Sequence, residues 1–141
     1  MEYLREYLDF GIIAVLGFMS FLVVWFATER FLYLRRIDIR TYRHIEELKV
    51  DLTRNLTVLS SMGTNAPYVG LLGTVLGILL TFYDMGQRGA IDTQAIMVGL
   101  ALALKATAMG LVVAIPAILF YNGLLRKVEV LTARWKTEFR K

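Results

Sequence analysis

The sequence predicts an all-α integral membrane protein with three transmembrane helices, and three observations carry that prediction. Residues 10–28 and 56–83 contain no charged side chain, and residues 95–125 contain only Lys105. A bilayer span needs about 20 predominantly apolar residues. The chain is 57% hydrophobic and 20% charged, with its apolar residues gathered into those runs. Of its 16 Lys and Arg, seven lie between residues 30 and 54 and six between 126 and 141, while the N-terminus and the 84–94 loop hold one each. Basic residues accumulate on the cytoplasmic side, so the N-terminus and the short loop are expected outside and the C-terminus inside. Residues 1–141 read as a single membrane domain with spans at about 10–28, 66–83 and 95–121. Cytoplasmic helical segments at 29–65 and 122–141 complete it.

Residues 1–9 place Tyr3, Leu4, Tyr7 and Leu8 on one side and charges on the other. The pattern fits a short helix at the membrane interface or a frayed terminus. Glu2, Glu6 and Asp9 outnumber Arg5, where a secretory signal would be basic, so the first apolar run is read as a retained helix. That run is bulky, with Phe18, Phe21, Trp25 and Phe26, and suits the lipid-facing outside of a bundle. Arginines and aromatics from Arg30 to Arg36 anchor its end.

From 40 to 60 the chain turns polar but keeps Ile45, Leu48, Leu52, Leu56 and Leu59 at steps of three or four, the period of an amphipathic helix. His44, the one histidine, stands among Arg43, Glu46 and Glu47 and reads as a solvated surface residue. Breaker and cap residues gather at 60–67, so Asn65 or Thr64 is expected to cap a new helix with Pro67 in its first turn. A continuous helix bent at Pro67 is the competing reading. Gly86 and Gly89 mark a tight turn at 84–93, which makes the second and third spans an antiparallel hairpin. Beyond Leu125 the third helix continues as a basic tail with Val128, Leu131 and Trp135 on one face. Pro116 inside it removes a hydrogen bond to Val112.

Those two spans carry stripes of small residues. Gly70, Gly73, Thr74, Gly77 and Thr81 share one helical face in the first, and Gly99, Ala103, Ala106, Thr107, Gly110, Ala114 and Ala117 share one in the second. Such stripes let backbones approach closely in a bilayer, so Gly70, Gly73, Gly77 and Gly110 are expected at helix-packing faces. Thr74 and Thr107 lie near the midpoints of their spans, at matching depth. Each hydroxyl either serves the interior of the bundle or bonds a carbonyl of its own helix.

Enzyme chemistry is not expected. The sequence offers no paired carboxylates in a pocket, no histidine or cysteine cluster for a metal, no nucleophile elbow and no phosphate loop. No catalytic residue, cofactor or nucleic-acid partner is expected.

The stretches APYVGLLGTVLGI at 66–78 and ALKATAMGLVVAIPAILFYN at 103–122 resemble the paired signature helices of the MotA/TolQ/ExbB proton-channel family, most closely its short ExbB-type branch. The resemblance covers about half of the chain. It implies a homo-oligomeric ring, a pentamer, in the bacterial inner membrane. A single-span ExbD-like partner inside the ring takes up protons on a membrane aspartate, and a TonB-like protein carries the work to outer-membrane receptors. It also implies that Thr74 and Thr107 line the pore or proton pathway. Leu102 stands where many relatives carry a glutamate, so no proton-carrying role transfers to this subunit's third helix. A TolQ-like subunit and a passive membrane scaffold are the alternatives; half of a secondary transporter is disfavoured by the lack of an inverted repeat.

Lys105 is the one charge within a span, and a charge near the bilayer centre costs about 2.5–3.5 kcal/mol on insertion scales unless it finds a partner. It falls about 160° around the helix from Thr107, away from the small stripe. A buried charge at contacts between helices or subunits is therefore expected, with snorkelling to the outer interface, about 15 Å away and long for a lysine, as the alternative. With no acid of this chain anticipated at its depth, the expected partners are oxygens of a neighbouring subunit or the acid of the single-span protein.

Overall fold

The computed structural model describes residues 2–139; Met1, Arg140 and Lys141, the outer ends of the two predicted terminal segments, lie outside the described residues. Helix α1 runs Glu2–Arg36, α2 Ile45–Thr53, α3 Leu56–Arg88 and α4 Thr93–Phe139, with a 3-10 turn at Ile39–Thr41. Helices α1, α3 and α4 are each long and apolar enough to cross a membrane. At 1.5 Å per residue they exceed the roughly 30 Å hydrocarbon core, so each extends beyond it.

Helices α3 and α4 form the antiparallel hairpin, and α1 lies along both of them. The buried stripe of α1 is Ile12, Leu16, Met19, Val23, Ala27, Arg30 and Leu34, at steps of three and four; Phe18, Phe21 and Trp25 on its other faces are exposed, whereas Phe26 packs partly against the core. Two apolar clusters result. One, nearer the α3–α4 turn, joins Ile12, Leu16 and Met19 to Ala66 and Ala114. The other, at the basic end, joins α1 to Leu48, Leu52, Leu56, Leu59, Leu124 and Val128.

Four local expectations are corrected. Residues 2–9 are neither a separate interfacial helix nor frayed, because no breaker separates them from the span and α1 runs through them. The predicted amphipathic helix at 40–60 is broken: α2 ends at Thr53, and Asn55 turns the chain with φ 66 before α3 begins at Leu56. Asparagine is one of the few side chains that tolerate this left-handed conformation. No helix starts at Asn65, whose side chain instead donates back to the Ser61 carbonyl at 2.8 Å. Helix α3 passes through Pro67 because one buried stripe, Leu56, Leu59, Gly63, Ala66 and Gly70, crosses it without interruption. Tertiary burial of that stripe offsets the bond that proline cannot make. The turn is shorter than 84–93: α3 continues to Arg88, Gly89 closes it at φ 72 with its N–H on the Met85 carbonyl, and the Asp92 carboxylate accepts from the N–H of Gln94.

Candidate functional site

The site lies along the seam between α3 and α4. At its tightest point Gly70 faces Gly110. A Cβ on Gly70 would stand 2.6 Å from the Ala106 carbonyl oxygen and 3.1 Å from the Gly110 Cα, and one on Gly110 would stand 2.6 Å from the Ala66 carbonyl oxygen. The obstacles are backbone atoms, which cannot rotate away as a side chain can. Farther along, a Cβ on Gly73 would meet Ala106 at 2.8 Å and the Ile12 side chain at 3.2 Å, and one on Gly77 would meet Ala103 at 3.0 Å. Gly99 backs onto Thr81. The two small stripes thus face each other within one chain, and α1 closes over them through Ile12.

This close approach brings Thr74 and Thr107 together. Thr74 is 7% exposed, its Oγ1 donates to the Ala103 carbonyl of the opposite helix at 2.7 Å, with the Gly70 carbonyl of its own helix farther off at 3.3 Å, and it is hydrogen-bonded to Thr107 Oγ1. A hydroxyl has one proton to give. With that of Thr74 directed to Ala103, Thr107 is the donor between the two hydroxyls, and lone pairs of half-buried Thr107 stay open. Neither hydroxyl titrates in the physiological range, so the pair can pass or orient a hydrogen bond but cannot store a proton.

Lys105 is not buried in the single chain; it is exposed beside a cleft between α1 and α4. The expectation that no acid of this chain reaches its depth is corrected as well, because Asp9 lines the same cleft. The sequence reading began the first span at residue 10 and so left Asp9 outside the membrane. The continuity of α1 brings it alongside α4.

A second polar group, at the basic end, was not singled out from the sequence. Arg30 is 2% exposed, donates to the Asp51 carbonyl at 2.7 Å and to the Leu52 carbonyl at 3.4 Å, and pairs with Glu29 at 2.8 Å. Those carbonyls belong to the last turn of α2, where the helix leaves acceptors without partners. Its guanidinium also lies 4.2 Å from the Tyr33 ring centroid. Tyr42 donates its hydroxyl to the Asp51 carboxylate, and Trp135 Nε1 donates to the Tyr42 carbonyl at 3.0 Å. The Asp51 carboxylate, with the Tyr33 hydroxyl adding to it, pushes the Tyr42 phenol far above the usual tyrosine range. The signal in the sequence was an arginine in register with the apolar stripe of α1; its proximity to basic neighbours made it read as an interfacial anchor.

The chain is similar to known proteins along nearly its whole length. The chain is 54% identical to the biopolymer transport protein ExbB of Helicobacter pylori over 136 residues, which is 96% of this chain and 94% of that protein. It is 49% identical to the biopolymer transport protein ExbB of Aquifex aeolicus, over 96% of this chain and 92% of that one. A putative biopolymer transport protein ExbB-like 2 of Helicobacter pylori is 50% identical over 94% of this chain and 88% of its own length. The sequence pattern of the MotA/TolQ/ExbB proton channel family matches residues 35–137, which take in both seam helices and the segment that Arg30 secures. With that match and with relatives this similar along nearly their full length, the chain belongs to the MotA/TolQ/ExbB proton channel family.

Proposed function

We propose that this chain is the ring-forming subunit of an ExbB-like motor in the bacterial inner membrane, driven by the proton-motive force. A homo-pentamer surrounds an ExbD-like single-span partner, and the complex energises a TonB-like protein for transport across the outer membrane. It catalyses no covalent step. The N-terminus and the 89–92 turn lie outside, while α2, the start of α3 and the end of α4 are cytoplasmic; the basic residues crowded at 30–54 and 126–141 support that orientation. Names of the similar relatives favour the ExbB branch over a TolQ-like role.

The observation that carries the reading is the Thr74–Thr107 pair. In a proton-channel family, two hydroxyls meet at the middle of the two signature helices, with Thr107 still open to accept. The seam has no acid of its own, since 66–83 and 95–121 contain neither Asp, Glu nor His. Asp9, an acid of this chain that reaches α4, lies in the Lys105 cleft and not in the seam, so the titrating carboxylate is assigned to the partner helix. A passive scaffold is the second reading, and it draws on Thr74 being fully satisfied by Ala103.

Proton flux into liposomes tests both. Flux is expected only when this chain is reconstituted with its single-span partner, and Thr107→Val is expected to reduce it while the complex still assembles. Equal flux with and without the partner overturns the proposal. Flux and transport that are unchanged by Thr107→Val and Thr74→Val leave the scaffold.

A further inference from the structure

The first two turns of α1 carry charge at a depth where α3 and α4 are apolar. Ile12 approaches the position that a Gly73 Cβ would occupy, at 3.2 Å, and Ala106 approaches the same point at 2.8 Å, so Ile12, Gly73 and Ala106 share one level. Asp9 lies three residues earlier on α1, about 4.5 Å along its axis at 1.5 Å per residue. Lys105 adjoins Ala106. Arg5 lies one turn farther and hydrogen-bonds to Thr81 Oγ1 of α3, which fixes the same register independently. Asp9 and Lys105 therefore lie within about 3 Å of each other in depth, at 1.5 Å per residue, on the opposite side of α4 from Thr107.

Both line one cleft, of about 50 Å³, whose remaining walls include the apolar Ile12, Ile13, Leu102 and Met109. They do not touch directly: among the described residues the ion pairs are Glu29–Arg30, Arg40–Glu138, Asp84–Arg88 and Arg126–Glu129. Arg5, the other cation near Asp9, is directed to Thr81. A cleft of this volume has room for at least one water, which needs two or more polar partners. The carboxylate and the ammonium supply them.

We propose that Asp9 and Lys105 form a water-bridged ion pair across the cleft between α1 and α4, so that Lys105 finds its counter-charge in its own chain. Each charge alone is costly in hydrocarbon, and removing one partner strands the other. Asp9 acts as a positioning residue: it neutralises Lys105 and fixes the start of α1 against α4. The inference does not depend on the transport reading, and its test uses no transport assay.

The chain has no cysteine, so a pair introduced at Ile13 and Met109, each one turn beyond the charged residue on its helix, is a unique reporter. In liposomes holding the full chain, oxidation is expected to give an intramolecular disulfide. Asp9→Asn and Lys105→Met should each slow its formation by about fivefold or more, a coupling within the usual range for neighbouring groups. The double variant Asp9→Asn/Lys105→Met should cost less than the product of the two singles and insert better than either. The charge exchange Asp9→Lys/Lys105→Asp should restore the rate. Unchanged trapping in Asp9→Asn, independent effects of the two singles, or a disulfide formed between subunits overturns the proposal. Should the exchanged variant fail to insert, the neutral double variant decides on its own.

Discussion

The α3–α4 seam and the basic end of the bundle hold the same helices together by opposite means. At the seam the helices touch because side chains are missing: Gly70 and Gly110 bring two backbones to within a Cβ of collision, and that approach makes the Thr74–Thr107 contact. At the basic end the space between the helices is filled by large side chains. Leu48, Leu52, Leu56 and Leu59 are almost wholly buried there, and Arg30, Tyr42, Asp51 and Trp135 interlock around them. The difference teaches that the two regions fail in different directions. The seam is damaged by adding atoms, and the basic end by removing them.

The largest expected effect breaks the comparison at the seam. Gly110→Leu or Gly70→Leu places a side chain where the first atom already meets backbone, and the cost should exceed the about 1–3 kcal/mol usual for overpacking. Loss of the folded chain in an SDS or thermal unfolding series would register it. Gly11→Ala, with nothing within 4 Å of its would-be Cβ, serves as the neutral comparison. Stability of Gly110→Leu equal to that of Gly11→Ala would mean that the seam is not held by close approach.

Next in size is removal at the basic end. Arg30→Met keeps much of the buried stem but strands the carbonyls of Asp51 and Leu52, and a loss of about 2–3 kcal/mol is expected from a charge-assisted hydrogen-bond set. Hydrogen exchange should increase selectively in α2, with the seam amides of α3 and α4 unaffected. A uniform increase along both regions would mean that the two ends of the bundle are not held independently.

Smaller again is Trp135→Phe, which retains the ring and deletes the donor to the Tyr42 carbonyl. About 1 kcal/mol is expected, read from the same unfolding series. Smallest is an ionisation. The Tyr42 phenol is held protonated by the Asp51 carboxylate, so its folded value is raised above the ordinary tyrosine value of about 10. The stabilisation of this contact is complete below that ordinary value and is lost only as pH rises through the higher folded value. A phenolate difference titration of the wild type against Tyr42→Phe should show no Tyr42 signal near pH 10; a normal titration there would mean that Tyr42 does not donate to Asp51.

How much could be read beforehand follows the same division. The α3–α4 hairpin was legible because its signals are local and repeated: charge-free runs long enough to cross a bilayer, small residues at steps of three and four, and a glycine turn. The paired depths of Thr74 and Thr107 followed from counting along two spans of known direction. Local signals also misled. Asn65 and Pro67 have the chemistry of a helix start, yet α3 ignores them, because a buried stripe from Leu56 to Gly70 outweighs one missing bond.

The sequence by itself determined that three helices of this chain are long and apolar enough to cross a membrane, because hydrophobic length is a property of consecutive residues. It also determined which faces could approach closely, because helical period maps spacing onto a face. Tertiary structure alone decided which charges those helices bring to one level. Asp9 and Lys105 are 96 positions apart in the sequence, and only the register of α1 against α4, set by Ile12 in the space beside Gly73, puts them on one cleft. It likewise decided that Arg30 closes α2 instead of anchoring α1 at the interface, since a guanidinium acquires its role from the carbonyls that folding places around it.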